Sequence, residues 1–297
     1  MMESNRQKLA ELDRAIIRNP EDARAIARRG ECYRLMARYE EALGDFNRAI
    51  ALKPEYDWAI AHRGECYRLM ARYEEALENF GDAIQLNNKS AWNFAHRGAS
   101  YYPLKQYEKA LADIDRALQL HPDYPWALFY RVNLDIRKNC YEEALADFDR
   151  AIVFDKTLIP SWQGERGLIL SYLGRYDRAI ECCEAGLLEK PEDYIILYTL
   201  AVVKARWQGL TTAQGEIEKT RQALQAATQP SQRPGVIYRW GGLAALEGRE
   251  VEALNYLREA ISLDSEPLEL ARRDLAWLEL RDLRQFRTLI EGENEDE

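Results

Sequence analysis

The amino-acid sequence predicts an all-α protein built from stacked antiparallel helix pairs, and three observations carry the prediction. Fifteen residues, RGECYRLMARYEEAL, stand at 29–43 and recur unchanged at 63–77, a step of 34. Glycine keeps that step at 30, 64 and 98, tyrosine at 33, 67 and 101, and alanine at 42, 76 and 110. After YEEAL, YEEAL and YEKAL come Phe46, Phe80 and Ile114, then Ala49, Ala83 and Ala117, and each period closes on Pro or Asn near 54, 88 and 122. Self-similarity at this period marks one helix-turn-helix tile per repeat, and each tile buries its apolar face by stacking on the next.

Taken in order, the front segment KLAELDRAIIRNP aligns with EALGDFNRAIALKP, so Leu12 takes the place of Phe46, Ala15 that of Ala49 and Pro20 that of Pro54. This is a second helix without its first, and its stripe of Leu9, Leu12 and Ile16 calls for an atypical cap, another chain or an earlier repeat. Three close copies follow. The fourth, PWALFYRVNLDIRK with CYEEALADFDRAIVFD, has Val132 where the glycine belongs, and the fifth, at 164–191, carries one inserted residue. DYIILYTLAVVKARWQG and TTAQGEIEKTRQALQAA form a divergent copy, the loop TQPSQRPG spans 228–235, and VIYRWGGLAALEGREVEALNYLREAISLD is a good copy. The expected division is 1–19 as a cap or orphan helix, 20–265 as about seven helix pairs, 266–290 as closing helices and 291–297, EGENEDE, as an acidic tail without structure.

Acids outnumber bases 50 to 41 and the net charge is −9, which excludes a general affinity for nucleic acid or anionic membrane. The start, MMESNRQKLAELDRAI, lacks the basic and apolar regions of a secretory signal. The longest apolar run, YIILYTLAVV at 194–203, falls short of the roughly 20 residues that cross a bilayer. The five cysteines include no C-x-x-C pair and leave one over, so reduced thiols in a cytoplasmic setting are expected rather than a disulfide framework.

The spaced residues G-x2-Y, A-x3-F, A and P in a 34-residue period resemble the tetratricopeptide repeat (TPR) family, of the bacterial type, over residues 8–265 outside the divergent copy. The resemblance implies a right-handed α-solenoid superhelix whose concave face, lined by first helices, binds a protein or peptide segment. Gly30, Gly64 and Gly98 sit inside first helices, where glycine costs roughly 1 kcal/mol against alanine, and the close approach of Ala42, Ala76 and Ala110 supplies the reason. One departure is an Arg before each glycine place, at Arg29, Arg63, Arg97 and Arg131, where the family usually has Leu. Asp45, Asn79, Asp113 and Asp147 on the second helices are the expected partners of this semi-buried row.

Groove-facing places follow from the same resemblance. They are Arg24, Arg28, Glu31, Arg34 and Arg38 in the first tile, and Trp58, His62, Glu65, Arg68 and Arg72 in the second. The third gives Trp92, His96, Ala99, Tyr102 and Gln106, and the fourth Trp126, Phe129, Tyr130, Asn133 and Arg137. Leu168, Tyr172, Tyr198, Val202 and Tyr238 continue the surface as an apolar stretch. Arginine beside exposed aromatics is hot-spot composition, pointing to an acidic or aromatic-containing partner. Each Trp of the ladder either meets a ligand or packs on the neighbouring tile. Likewise Glu31 with Arg34, and Glu65 with Arg68, either meet a ligand or neutralise each other as i, i+3 pairs.

The family's carboxylate-clamp places hold Ala27, Ala61, Glu31 and Glu65, so binding of C-terminal carboxylates through that clamp is not expected. His62 and Cys66 are four apart on one helix, but a thiol nucleophile also needs a lowered pKa and an oxyanion site that nothing in the sequence supplies. No catalytic residue, metal or cofactor is expected, and neither a nucleic acid nor a membrane partner. A binding scaffold is the leading expectation. Its rivals are self-association, by stacking or by the acidic tail entering a neighbour's groove, and, lower, a Cys/His-dependent enzyme.

Overall fold

The computed structural model of the protein describes residues 2–154, 159–227, 229 and 233–291. The acidic stretch 292–297 and residues 228 and 230–232 of the Pro-containing loop lie outside the described residues. Everything described as regular structure is helical, and the chain divides into two compact units, Met1–Leu134 and Asp135–Glu297.

In the first unit α1 (Met2–Arg18) precedes three helix pairs, α2 (Ala23–Leu35) with α3 (Tyr39–Leu52), α4 (Asp57–Leu69) with α5 (Tyr73–Leu86), and α6 (Ala91–Tyr101) with α7 (Tyr107–Leu120). Most of α8 (Pro125–Arg137) completes it. Within each pair the first helix starts at a cap or turn. Asp22 accepts from the amides of Arg24 and Ala25, and Ser90 accepts from that of Asn93. Each first helix is followed, in the turn to its partner, by a left-handed residue, Ala37 and Ala71 at φ 57° and Lys105 at 59°.

The interior follows the repeat. Ala42, Ala76, Ala110, Phe46, Phe80 and Ile114 are completely buried. A Cβ on Gly64 would lie 3.0 Å from the Asn79 Cβ and 3.3 Å from the Ala76 carbonyl oxygen, so the helices of this pair approach closely enough that any side chain there would have to push its neighbours aside. On α1, Ile16 is buried and Leu12 packs against the same apolar cluster as Ile26 and Phe46.

The arginine row does more than pair within a tile. Arg29 donates twice to Asp45, at 2.7 Å each, and once at 2.8 Å to Asp13 on the preceding second helix. Arg63 repeats this with Asn79 at 2.7 Å and Asn47 at 2.8 Å. Arg97 holds Asp113 at 2.7 and 2.8 Å, but the residue sixteen before it is Gly81, which has no side chain to offer. Arg131 reaches back to Asp115 at 3.2 Å, and Asp147 is buried. The row thus closes the tiles of Arg29, Arg63 and Arg97, and at Arg29, Arg63 and Arg131 it also ties a tile to its predecessor.

The second unit contains α9 (Tyr141–Phe154) and the pairs α10 (Ile159–Tyr172) with α11 (Tyr176–Glu189), α12 (Tyr194–Gln208) with α13 (Gln214–Ala226), and α14 (Arg233–Leu246) with α15 (Glu250–Leu263). Arg166 continues the row, donating to Asp149 at 2.9 Å and to the Cys182 sulfur at 3.0 Å. Its backward step is seventeen rather than sixteen, as the inserted residue requires. Residues beyond α15 form α16 (Glu266–Ala271), a 3-10 helix over Leu275–Leu280 and α17 (Arg284–Glu291). The 3-10 helix packs on α12 and α14 and plants Trp277 and Leu280 in their core.

Candidate functional site

In the first unit the residues assigned to the inner face form a column of rings. Trp58 stacks on His62 with centroids 3.9 Å apart, and His62 on Trp92 at 4.8 Å with planes 5° apart. Trp92 stacks on His96 at 3.9 Å, and His96 on Trp126 at 5.0 Å. Helical spacing of four places each His under its own Trp, and the 34-residue step brings the next tile's Trp onto the other face. The tryptophan ladder therefore packs between tiles, with each of its three rings half-buried.

The histidines are pinned. His62 Nδ1 lies 2.9 Å from the Trp58 carbonyl oxygen, an acceptor only, so Nδ1 carries the proton. His96 Nδ1 meets Glu65 Oε2 at 2.9 Å, and the same carboxylate accepts from Arg68 Nε at 2.7 Å and Nη2 at 2.8 Å. Burial pulls both imidazoles below their ordinary pKa, in His96 against the opposing pull of Glu65. Burial also pushes the Glu65 carboxyl up, but the bonds from Arg68 and His96 outweigh it and hold the group at about 2. Arg68 extends over the Trp126 ring, 5.5 Å from its centroid.

Several expected contact residues are thereby committed inside the fold. Glu65 and His96 are buried, and Arg34 is bound to Glu31 by two bonds of 2.7 Å as Arg68 is to Glu65. The i, i+3 pairing considered from sequence is what these four residues do. Arg38 pairs with Glu41 and Arg72 with Glu75 at the exposed ends. Tyr102 meets Tyr107 and Tyr130, Phe129 meets Tyr130, and Asn133 donates to the Phe129 carbonyl oxygen at 2.8 Å. Ala99 is buried, Gln106 accepts from Lys109, and Arg137 belongs to the second unit.

Arg24 and Arg28 differ. Both are exposed on α2, and among the described residues neither side chain has a carboxylate partner. They lie near Tyr56, whose hydroxyl burial pushes up in pKa while the two guanidinium groups draw it down. Lys53 stands 5.2 Å from the centre of the Tyr56 ring, which in turn stacks on Trp58 at 6.0 Å. Sequence reasoning missed Tyr56 and Lys53. The signal for them was the aromatic pair at 56 and 58, flanking the start of α4.

The expected apolar continuation in the second unit is not an open surface. Val202, Tyr198 and Tyr238 are buried, and the segment after α15 covers them. Asp274 Oδ2 accepts from the hydroxyls of Tyr198 and Tyr238 at 2.8 Å each, and Trp277 Nε1 donates to the Tyr238 hydroxyl at 2.9 Å. A water-sized cavity of about 10 Å³ remains beside Leu168, Tyr172 and Asp274. The reading of Tyr198, Val202 and Tyr238 as groove surface is corrected accordingly, because the chain supplies its own covering, while Leu168 and Tyr172 stay half-buried.

Cys66 is completely buried, and burial pushes its thiol up to about 12, the opposite of an activated nucleophile. Among the described residues, no group of three His, Cys, Asp or Glu is placed to hold a metal ion, and no helix is long and apolar enough to cross a membrane.

Comparison with known proteins agrees with this architecture. Tetratricopeptide repeat models match residues 23–56 and 164–193. The fold is similar to a chain of the APC/C hetero-tetramer Cut9-Hcn1, with a TM-score of 0.63 and 17% identity over 86% of this chain and 46% of that one. This chain thus spans about half the length of that relative. It is also similar to a tetratricopeptide repeat protein from Parabacteroides merdae ATCC 43184, with a TM-score of 0.63 and 19% identity over 86% of this chain and 98% of that one. MamA from Desulfovibrio magneticus RS-1 aligns with a TM-score of 0.50 and 17% identity over 56% of this chain and 97% of that one. No curated protein is similar enough to count as a match.

Proposed function

We propose that this chain, which carries tetratricopeptide repeats matched at 23–56 and 164–193 and folds as a tetratricopeptide repeat array, is a non-enzymatic scaffold that binds an acidic, aromatic-containing peptide segment of another protein at the N-terminal end of its inner face. The observation that carries the reading is the pair Arg24 and Arg28, exposed and without carboxylate partners among the described residues, beside the Tyr56–Trp58 stack. Guanidinium groups so placed bind carboxylates bidentately, and the ring edges take apolar side chains. Arg34 and Arg68 are poor candidates for that role, because each already holds a carboxylate and is mostly buried. A cytoplasmic, reducing setting fits the five free cysteines.

The test is fluorescence anisotropy of a labelled peptide alternating Glu with Phe. Arg24→Glu with Arg28→Glu should weaken binding at least tenfold, since each charged hydrogen bond contributes about 1.5–3 kcal/mol. Equal affinity for wild type and double variant would remove this surface from the function.

A further inference from the structure

Several half-buried arginines in this protein are answered by carboxylates, Arg29 by Asp13 and Asp45, Arg97 by Asp113, Arg206 by Glu279 and Arg221 by Glu247, and Arg63 by the side-chain oxygens of Asn79 and Asn47. Three arginines of the second unit are not. Arg239 donates to the Gly235 carbonyl oxygen at 2.9 Å, Arg273 to that of Ile136 at 2.8 Å and Arg281 to that of Asp274 at 3.1 Å. Among the described residues none of the three touches a carboxylate, and the Nε of each is buried without an acceptor. A carbonyl oxygen satisfies one of five guanidinium donors and neutralises no charge.

The three positive charges converge on one aromatic floor. Tyr141 and Tyr172 lie with ring centroids 4.9 Å apart. Arg273 and Arg281 both act electrostatically on Tyr141, and Arg273 and Arg239 on Tyr172. The carboxylate acting on Tyr172, Asp274, is only 7% exposed and is spent on the Tyr198 and Tyr238 hydroxyls and the Ala276 amide. A locally positive, partly desolvated patch therefore persists in a chain of net charge −9.

We propose that Arg239, Arg273 and Arg281, set around the Tyr141–Tyr172 pair, form a second recognition site, one that takes the carboxylate side chains of an acidic peptide segment. Two of the three arginines come from the segment that covers α12 and α14, so the site exists only once that segment is folded in place. Planar guanidinium groups match carboxylates bidentately, and the tyrosine rings exclude water from the contact. A polynucleotide is disfavoured because three clustered charges make no continuous basic track and the rest of the chain repels phosphate.

The experiment uses the full chain and a labelled peptide alternating Glu with Gly. Arg24→Gln with Arg28→Gln isolates the second unit, and Arg273→Gln with Arg281→Gln isolates the first. The second-unit variant should lose one class of sites, with affinity down at least tenfold, while contacts dependent on Arg24 and Arg28 persist. Arg273→Lys with Arg281→Lys, which keeps the charge, should retain most of the binding. With 3-fluorotyrosine incorporated, the Tyr141 resonance, assigned through Tyr141→Phe, should move on peptide addition even in the Arg24, Arg28 variant. An unchanged isotherm in the Arg273, Arg281 glutamine variant overturns this site whatever Arg24 and Arg28 do. Equal loss in the lysine and glutamine variants marks a folding effect and overturns it too. Tighter binding of single-stranded oligothymidylate than of the peptide, lost in the same glutamine variant, overturns the assignment to a peptide.

Discussion

Replacing Glu65 with Gln keeps the shape of the side chain and removes its charge, and the duplicated fifteen residues supply a built-in control in Glu31→Gln. Glu65 accepts from Arg68 twice and from His96 once, with its side chain 5% exposed. Holding the carboxyl at about 2 rather than the ordinary 4.5 corresponds to about 3 kcal/mol, at about 1.4 kcal/mol per tenfold. Removing one member of a buried pair costs about 3–5 kcal/mol, so the two routes to the magnitude agree. Glu31 makes the same two bonds to Arg34 but is 22% exposed, and the equivalent histidine, His62, bonds the Trp58 carbonyl oxygen instead. Its loss should cost about 1 kcal/mol. The assay is urea denaturation at neutral pH, followed by tryptophan fluorescence and by circular dichroism. Equal costs for the two variants, or a Glu65→Gln cost below about 1 kcal/mol, would refute the reasoning that the histidine contact and burial distinguish two identical sequences.

Four further outcomes are expected. Acid should act in two stages: His62 and His96, held neutral by burial, favour the unfolded chain as pH falls below 6.5, and the Glu65 contribution is lost between 4.5 and about 2. Glu65→Gln should erase the lower stage in pH-resolved denaturation and deepen the upper one, because His96 loses the carboxylate that favours its protonated form. A double-mutant cycle on Arg97 and Asp113, both replaced by Ala, should give a coupling of about 1–3 kcal/mol, and none would contradict the bidentate pair. Ala71→Gly should raise stability by about 0.5–1 kcal/mol, because Ala71 sits at φ 57°; a lower denaturation midpoint would count against strain there. Cys66, with its thiol near 12, should label far more slowly than a free thiol at neutral pH until the chain unfolds, and fast labelling of the folded protein would contradict its burial.

The tile was legible because its causes are local and repeated. Gly64 facing Ala76, Phe80 filling the gap, and Arg63 meeting Asn79 all fall within one period. The ring column was half legible: the step from Trp58 to Trp92 is in the sequence, but the insertion of His62 between them depends on how neighbouring tiles turn. Which arginines stay free was hidden for a related reason, since Arg34 and Arg28 read alike until Glu31 chooses between them. Least legible was the covering of the second unit. Tyr198 and Asp274 are 76 residues apart and share no repeat, so no periodic signal links them.

Gly81 has a mechanical consequence. The joints on either side carry a polar tie, Arg63 to Asn47 before it and Arg131 to Asp115 after it, whereas Arg97 meets no side chain at residue 81. In elastic terms the joint between α5 and α6 loses its tie through the arginine row and is held in register by a different one, the buried bond from His96 Nδ1 on α6 to Glu65 Oε2 on α4 at 2.9 Å. The apolar core and the stacked rings of His62 and Trp92 oppose opening of the same seam. In an array whose cohesion is a sum of neighbour terms, the torsional stiffness of this joint therefore rests on a single directional contact.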